Sequence, residues 1–213
     1  MKLFTNKKKL REEIGKINNI SFVPTMGFLH KGHESIIKKS VKGSGKTLVS
    51  IFINPKQFNS KKDLKSYPRN TKYDIKILKK LKIDYLYRPS YADIYKFKTK
   101  NKIYLDKFAK ELCGQFRKGH FKGVIDVVNR LLEITNPKRI FLGNKDFQQL
   151  YLIKKHIMKN KIKTQVFPCK TIRDKNFIAY SSRLKKLNHN EITNLIEIIK
   201  VLKKYKKDLI LKK

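Results

Sequence analysis

A doubly wound α/β domain, a parallel sheet covered by helices on both faces, is the fold this sequence predicts. Short β-branched and aromatic runs alternate with longer, lysine-rich amphipathic stretches. The 213 residues suffice for one full-sized domain with a buried core, or for one domain and an appendage. Neither an internal repeat nor a Pro/Gly/Ser-rich linker interrupts the alternation.

The first strand falls at 21–26 (SFVPTM) and a helix follows over 34–41, with apolar residues three and four apart. A second strand at 47–53 (TLVSIFI) leads to a helix over 71–81. Its apolar stripe is Tyr73, Ile75, Ile77, Leu78 and Leu81, with lysines opposite. A third strand at 83–88 (IDYLYR) precedes a helix over 124–134, and a fourth at 139–142 (RIFL) precedes a helix over 146–159. A further strand is expected within 163–173. The last helix, over 191–202, fades into a lysine tail from residue 203 that is expected to fray.

Composition narrows the function. Lys and Arg total 53 against 16 Asp and Glu, a net charge of +37, yet 40% of the residues are hydrophobic, too many for a disordered polycation. No apolar run approaches the length of a membrane-spanning helix, and the basic first ten residues have no apolar segment behind them, so neither a membrane anchor nor a secretory signal is expected. Cys113 and Cys169 make neither a disulfide framework nor a metal quartet, and read as reduced thiols in a cytoplasmic protein. A charge this large normally points to nucleic acid or an anionic membrane surface. Here 45 of the basic residues are Lys and only 8 are Arg, while Ile and Asn are plentiful and Ala and Gly scarce. We read the lysines as mutational bias filling solvent-facing positions, with a polyanionic partner as the alternative. Each surviving Arg, Gly or His is then informative.

Those scarce residues cluster. In 22–33 (FVPTMGFLHKGH) a strand runs into a glycine turn and His-x-Gly-His opens a helix. A helix N-terminus has unpaired N–H groups and positive dipole, so His30 and His33 would add donors to an anion site, with Gly32 letting a ligand approach the backbone. This suits a triphosphate under attack at its α-phosphorus, because donors there stabilise the departing pyrophosphate. In 50–58 (SIFINPKQF) the amides Asn54 and Gln57 leave the carboxyl edge of a strand, where ligands bind in open α/β sheets. Tyr67, Pro68, Arg69 and Asp74 follow. The segment 114–124 (GQFRKGHFKGV) holds three glycines, Arg117 and His120, and 141–150 (FLGNKDFQQL) repeats the strand–glycine–helix design. Near the end come 171–173 (TIR) and 179–183 (AYSSR). Outside these, His156 and His189 are expected as surface or packing residues; within or beside them, Gln148 is expected on the outer face of its helix, Cys113 as a buried small hydrophobe, and Phe116 and Phe121 as loop anchors.

In this order the segments resemble the pantoate–β-alanine ligase family, whose fold is a Rossmann-like nucleotidylyltransferase domain and whose His-x-Gly-His helix is shared with class I aminoacyl-tRNA synthetases. The resemblance runs from about Phe22 to Arg183. It implies an enzyme that couples pantoate to ATP, giving pantoyl adenylate and pyrophosphate, after which β-alanine attacks to release pantothenate and AMP. It implies an ATP site lined by Met26, Gly27, Phe28, Leu29, His30, Lys31, Gly32 and His33, with His33 in the proton donor's place. Gly143, Asn144, Lys145 and Asp146 would grip the nucleotide, Ile172 would touch the adenine, and Tyr180, Ser181, Ser182 and Arg183 would close over the phosphates. His30, His33, Lys145 and Arg183 are the catalytic set. Gln57 would hold pantoate and later β-alanine, and Gln149 would hold pantoate. The family's reaction needs Mg²⁺, which Asp74 would help to place. Asn54 joins Gln57 and Gln149 as neutral groups that spare pantoate's nucleophilicity.

The family is usually dimeric, so a homodimer is implied, with no specific nucleic acid and no membrane. Asn144, Tyr180, Leu184 and Lys118 depart from the family's usual Glu, Met, Asn and Pro, and 174–177 (DKNF) lacks its Asp-Gly turn. The family usually continues several tens of residues further. We therefore expect residues 1–171 to form the Rossmann-like ATP- and pantoate-binding domain, and 172–213 a shortened remnant of a C-terminal lid domain. The alternatives are another nucleotidylyltransferase acting on a phosphorylated acceptor, and a decayed synthetase serving as a basic nucleic-acid-binding protein.

Overall fold

The computed structural model describes residues 1–211. In chain order it runs β1 (Lys2–Phe4), α1 (Lys7–Ile14), β2 (Ile20–Thr25), α2 (Lys31–Val41), β3 (Lys46–Ile51), α3 (Lys61–Lys65) and α4 (Thr71–Lys80). There follow β4 (Tyr85–Tyr87), α5 (Tyr91–Tyr95), α6 (Cys113–Phe116), α7 (His120–Thr135), β5 (Arg139–Gly143), α8 (Phe147–Lys159), β6 (Gln165–Cys169) and α9 (His189–Leu211). The strands form one sheet in the order β1-β4-β3-β2-β5-β6, with every pairing parallel. The chain therefore builds outward in one direction from β2, then returns to build β5 and β6 on its other side. That reversal between β2 and β5 is the topological switch point at which open α/β sheets bind ligands.

Both faces of the sheet are covered. On one, Leu10 and Ile14 of α1, Ile94 of α5, and the apolar residues of α7 and α8 pack on Phe22, Leu48 and Ile140. On the other, Ile37 of α2 and Leu78 of α4 pack on Val23, Val49, Leu86 and Phe141. Nearly every residue of α7 is buried, leaving only Lys122, Arg130 and Glu133 partly or fully in solvent.

β2 and β3 pair over six residues, from Ile20 with Lys46 to Thr25 with Ile51. β2 and β5 pair only at their amino ends, Ser21 with Arg139 and Phe22 with Ile140. Pro24 accounts for the limit. Thr25 turns its backbone toward β3, since its carbonyl accepts the Phe52 N–H at 3.0 Å. Pro24, one residue earlier, therefore faces β5, and it has no N–H to offer there. The strands part from Pro24 onward, and the gap opens into a cleft of about 510 Å³, lined on its two sides by 23–26 and 141–143.

The structure extends the sequence reading at both ends. β1 and α1 were not foreseen, because a three-residue strand carries no measurable period and α1 buries only Leu10 and Ile14 among its charged residues. α7 begins at His120, four residues before the expected start, from a left-handed Gly119. Residues 212 and 213 lie outside the described residues; as far as Leu211 the expected fraying from residue 203 is corrected, since α9 continues to that point. Its apolar spacing carries on through Val201, Leu202, Tyr205 and Leu209, all exposed, and Lys203 Nζ sits 3.3 Å from the centre of the Phe177 ring. Phe177 itself adopts φ 64°, left-handed, in the turn that has lost its glycine, and Asp174 holds that turn by accepting the N–H groups of Asn176 and Ile178, both at 2.9 Å.

Gly123 lets α7 lie against the turn Pro55–Gln57. A Cβ there would stand 2.2 Å from the Lys56 carbonyl oxygen and 2.9 Å from the Gln57 nitrogen. Gly123→Ala is expected to cost about 1–3 kcal/mol by overpacking, read as a lower urea midpoint with an unchanged slope. A loss below about 0.5 kcal/mol would show that this contact does not hold α7 in place.

Candidate active site

The turn after β2 is held from behind. Both Asp74 oxygens accept backbone N–H groups, Oδ2 from Phe28 at 2.9 Å and Oδ1 from Leu29 at 2.7 Å, and Phe28 adopts φ 52°. Asp74 is 2% exposed, so the expectation that it helps to place a metal is corrected: its carboxylate is spent on the turn. That turn delivers the amino end of α2 to the split between β2 and β5.

There the two histidines cap the helix reciprocally. His30 Nδ1 accepts the Gly32 N–H at 3.1 Å, and His33 Nδ1 accepts the His30 N–H at 3.4 Å. A neutral imidazole that accepts at Nδ1 carries its proton on Nε2. Burial pushes His33 down to about 3, with His30 and then Lys145 adding to the effect. Burial and then Lys145 also lower His30. Both rings are therefore neutral at pH 7, their centres 4.0 Å apart, and each keeps an Nε2–H donor. A Cβ on Gly32 would stand 2.9 Å from His30 Cε1, so the glycine makes room for the capping imidazole rather than for a ligand.

Across the gap, the end of β5 presents Lys145, paired with Asp146 at 3.0 Å, and Gln149 one turn into α8. The Pro55–Gln57 turn closes a third side. Asn54 is buried; its Nδ2 donates to the Gln57 side-chain oxygen at 3.1 Å and to the Gly123 carbonyl at 3.0 Å. Its Oδ1 accepts from the Tyr95 hydroxyl at 2.7 Å. Asn54 is thus a bracket rather than a ligand, and by occupying the Gln57 oxygen it leaves the Gln57 NH₂ available to the cleft. Tyr180 to Arg183 cross the mouth. Arg183 donates to both oxygens of Asp63, at 2.6 and 2.9 Å, and Lys186 joins them at 3.3 Å. Each partner of the Asp63–Arg183 pair strengthens the other's charge, so the Asp63 carboxyl lies below its usual range and the Arg183 guanidinium above.

Of the residues expected from the sequence, Met26, His30, Gly32, His33, Gln57, Gly143, Lys145, Asp146, Gln149, Ile172, Tyr180, Ser181, Ser182 and Arg183 line this one cleft. Gly27 and Phe28 line a separate hollow with Asp74, Leu29 is buried, and Lys31 and Asn144 face solvent. The expectations for Gln148, Cys113 and Phe116 are corrected. Gln148 is 6% exposed and donates to the carbonyls of Phe108 at 2.8 Å and Glu111 at 2.7 Å, where its side-chain oxygen has no partner. Cys113 is exposed at the rim, and Phe116, 85% exposed, anchors nothing. His156 is a packing residue inside the core, bonded to Asn129 at 3.1 Å.

Sequence reasoning gave no role to Arg117 and His120, although their scarcity marked them. It also missed the apolar wall of Val124, Val127, Val128 and Leu131, which line the cleft from one face of α7. That spacing was visible, but it is equally the spacing of a core helix.

A family model described as pantoate-beta-alanine ligase matches residues 2–213. The chain is 44% identical over 190 residues to the pantothenate synthetase of Flavobacterium psychrophilum, covering 88% of this chain and 67% of that protein. It is 42% identical over 195 residues to that of Francisella philomiragia, covering 91% and 75%. Among solved structures it resembles the pantoate-beta-alanine ligase of Francisella tularensis complexed with beta-gamma ATP and beta-alanine, at TM-score 0.90 and 39% identity, over 95% of this chain and 79% of that one.

The capped histidines set a pH dependence. His30, His33, His120 and His156 all have lowered pKa values, so as pH falls below about 6.5 the unfolded chain binds protons that the folded chain refuses. Stability should be steady above the unfolded value of 6.5 and fall as pH drops below it, with His33 contributing down to about 3. Urea titrations through that window are expected to give a shallower fall for His33→Asn, by up to one proton. An identical slope would mean that His33 is not held neutral.

Proposed function

The chain belongs to the pantoate–beta-alanine ligase family, and on that premise we propose that this cleft joins pantoate to β-alanine, with ATP as the activating substrate. The observation that carries the reading is the convergence of His30, His33 and Lys145 at one end of the cleft that Gln57 and Gln149 line from its other walls.

In the first step a pantoate carboxylate oxygen bonds to the α-phosphorus, and the bond to the bridging oxygen breaks, sending its electron pair to pyrophosphate. Like charges approach, so the site needs donors more than bases. The two Nε2–H groups, the amino end of α2 and the Lys145 ammonium supply them, and because they are held before substrate arrives little reorganisation opposes the reaction. Lys145 leaves Asp146, and Arg183 leaves Asp63, to meet the phosphates. These are exchanges between anions rather than the creation of a new unpaired charge. The Gln57 NH₂ and Gln149 hold pantoate through neutral groups, so its carboxylate is not quenched in an ion pair. Its two methyl groups suit the apolar wall of α7. In the second step the neutral amine nitrogen of β-alanine bonds to the acyl carbon, the carbon–oxygen bond to phosphate breaks, AMP leaves with the electron pair, and the nitrogen releases a proton to solvent.

Magnesium is read as part of the substrate, carried by the triphosphate. Among the described residues no group of three His, Cys, Asp or Glu side chains stands close enough to hold a metal. We divide the chain after residue 171, just past β6: residues 1–171 bind nucleotide and pantoate, and the segment from 172 crosses the mouth before α9. Family resemblance extends the proposal to a homodimer in the cytoplasm.

The test is direct. Purified chain given ATP, Mg²⁺, pantoate and β-alanine should form AMP and pantothenate in equal amounts. AMP that forms without pantoate would sink the assignment. His33→Ala and Lys145→Ala should each lower turnover about 10²–10³-fold, the usual loss for a transition-state donor. A change under about threefold would remove these residues from the mechanism.

A further inference from the structure

On the wall of the cleft that carries the start of α7, near Arg183 but not paired with any carboxylate, Arg117 stands without a counterion. Its side chain is half-buried and lines the cleft, yet among the described residues it makes no side-chain hydrogen bond or ion pair. Most arginines of this chain are engaged: Arg11, Arg69, Arg130, Arg139, Arg173 and Arg183 all donate to carbonyls or side chains. Burial and the nearby Arg183 both work against the Arg117 charge. A half-buried guanidinium in that position is a site for an anion.

Three residues on, His120 is 7% exposed and lines the same cleft. Its Nδ1 lies 2.7 Å from the Gln57 backbone carbonyl oxygen. A carbonyl only accepts, so Nδ1 carries the proton and Nε2 is left with a lone pair. This is the reverse of His30 and His33, which keep N–H donors. The cleft therefore holds an unpaired cation and an unprotonated ring nitrogen beside Gln57, a pairing that serves phosphate poorly and an amino acid well.

We propose that Arg117 binds the carboxylate of β-alanine while His120 Nε2 accepts a hydrogen from its amine, so that the nitrogen faces the acyl group held beside Gln57. This rests on the ligase reading above and adds to it the way in which the amine substrate is recognised. The carboxylate sits at the far end from the reacting nitrogen, so Arg117 selects and orients the amine without touching the bonds that change. An amine lacking a carboxylate meets the same His120 but leaves Arg117 unpaired.

Two assays separate the claims. Pantoate-dependent exchange of pyrophosphate into ATP reports adenylate formation with no amine present. Amide formation with β-alanine and with propylamine, which has no carboxylate, reports recognition of the amine. Arg117→Gln should raise the KM for β-alanine about 10–100-fold, the loss expected for one charge-assisted hydrogen-bonded pair. The rise should exceed the change in exchange rate at least tenfold. The preference for β-alanine over propylamine should shrink by a similar factor, and Arg117→Lys, which keeps the charge without the fork, should restore part of it. A misfolded variant would lose both amines alike and would not move that ratio. Intact exchange with an unchanged ratio in both variants overturns this inference alone, as does a rise confined to the KM for ATP. No exchange in the unaltered chain overturns the ligase reading and this inference with it.

Discussion

Everything at the cleft depends on two central strands that begin as neighbours and do not stay so. In a parallel sheet each unpaired backbone group inside the core is costly, so strands separate only where something else satisfies them or where there is nothing to satisfy. Pro24 supplies the second condition on the β2 side, since it has no N–H to lose. Beyond it the β2 chain turns into α2 and the β5 chain into α8, and each turn sets a short row of functional groups on its side of the gap. Had β2 and β5 paired to their ends as β2 and β3 do, His33 and Lys145 would have no space between them for a triphosphate.

The electrostatics of that gap run against the chain's composition. A protein of net charge +37 could crowd its anion site with lysine, but the donors nearest the split are two uncharged imidazoles and one Lys145 already paired with Asp146. Neutral donors fixed by the backbone add no mutual repulsion when the site is empty, and their burial makes each hydrogen bond stronger. The remaining lysines stand largely in solvent, where salt screens them. Asp63 performs the same service for Arg183 at the mouth, balancing a guanidinium that would otherwise face Arg117.

What the sequence made legible follows from what each signal encodes. Five strands and the helices between them were readable because β-branched runs and amphipathic stripes report burial directly, and the order of motifs along the chain located fourteen of the residues that line the cleft. Short elements such as β1, α3 and α6 span too few residues for a period to repeat. Asp74, Asn54 and Gln148 are polar residues whose roles turn on backbone groups distant in sequence: the carbonyls and N–H groups they meet are 37 to 69 positions away. Residue type alone cast the first two as ligands and the third as surface. Only the fold distinguishes a carboxylate that waits for a ligand from one already committed to a turn.

The histidines carry this furthest, because in them even the polarity of the group is set by the fold. An imidazole is both donor and acceptor, and whichever nitrogen the backbone engages decides what the other offers. At the amino end of α2 the backbone has spare N–H groups, so His30 and His33 are made acceptors there and donors toward the cleft. At the start of α7 the nearest backbone group is the Gln57 carbonyl, so His120 is made a donor there and an acceptor toward the cleft. One residue type thereby serves opposite ends of a reaction in which an anion must first leave and an amine must then arrive. The difference lies in which backbone atom each ring happens to meet, and that is a property of the sheet's topology rather than of any motif.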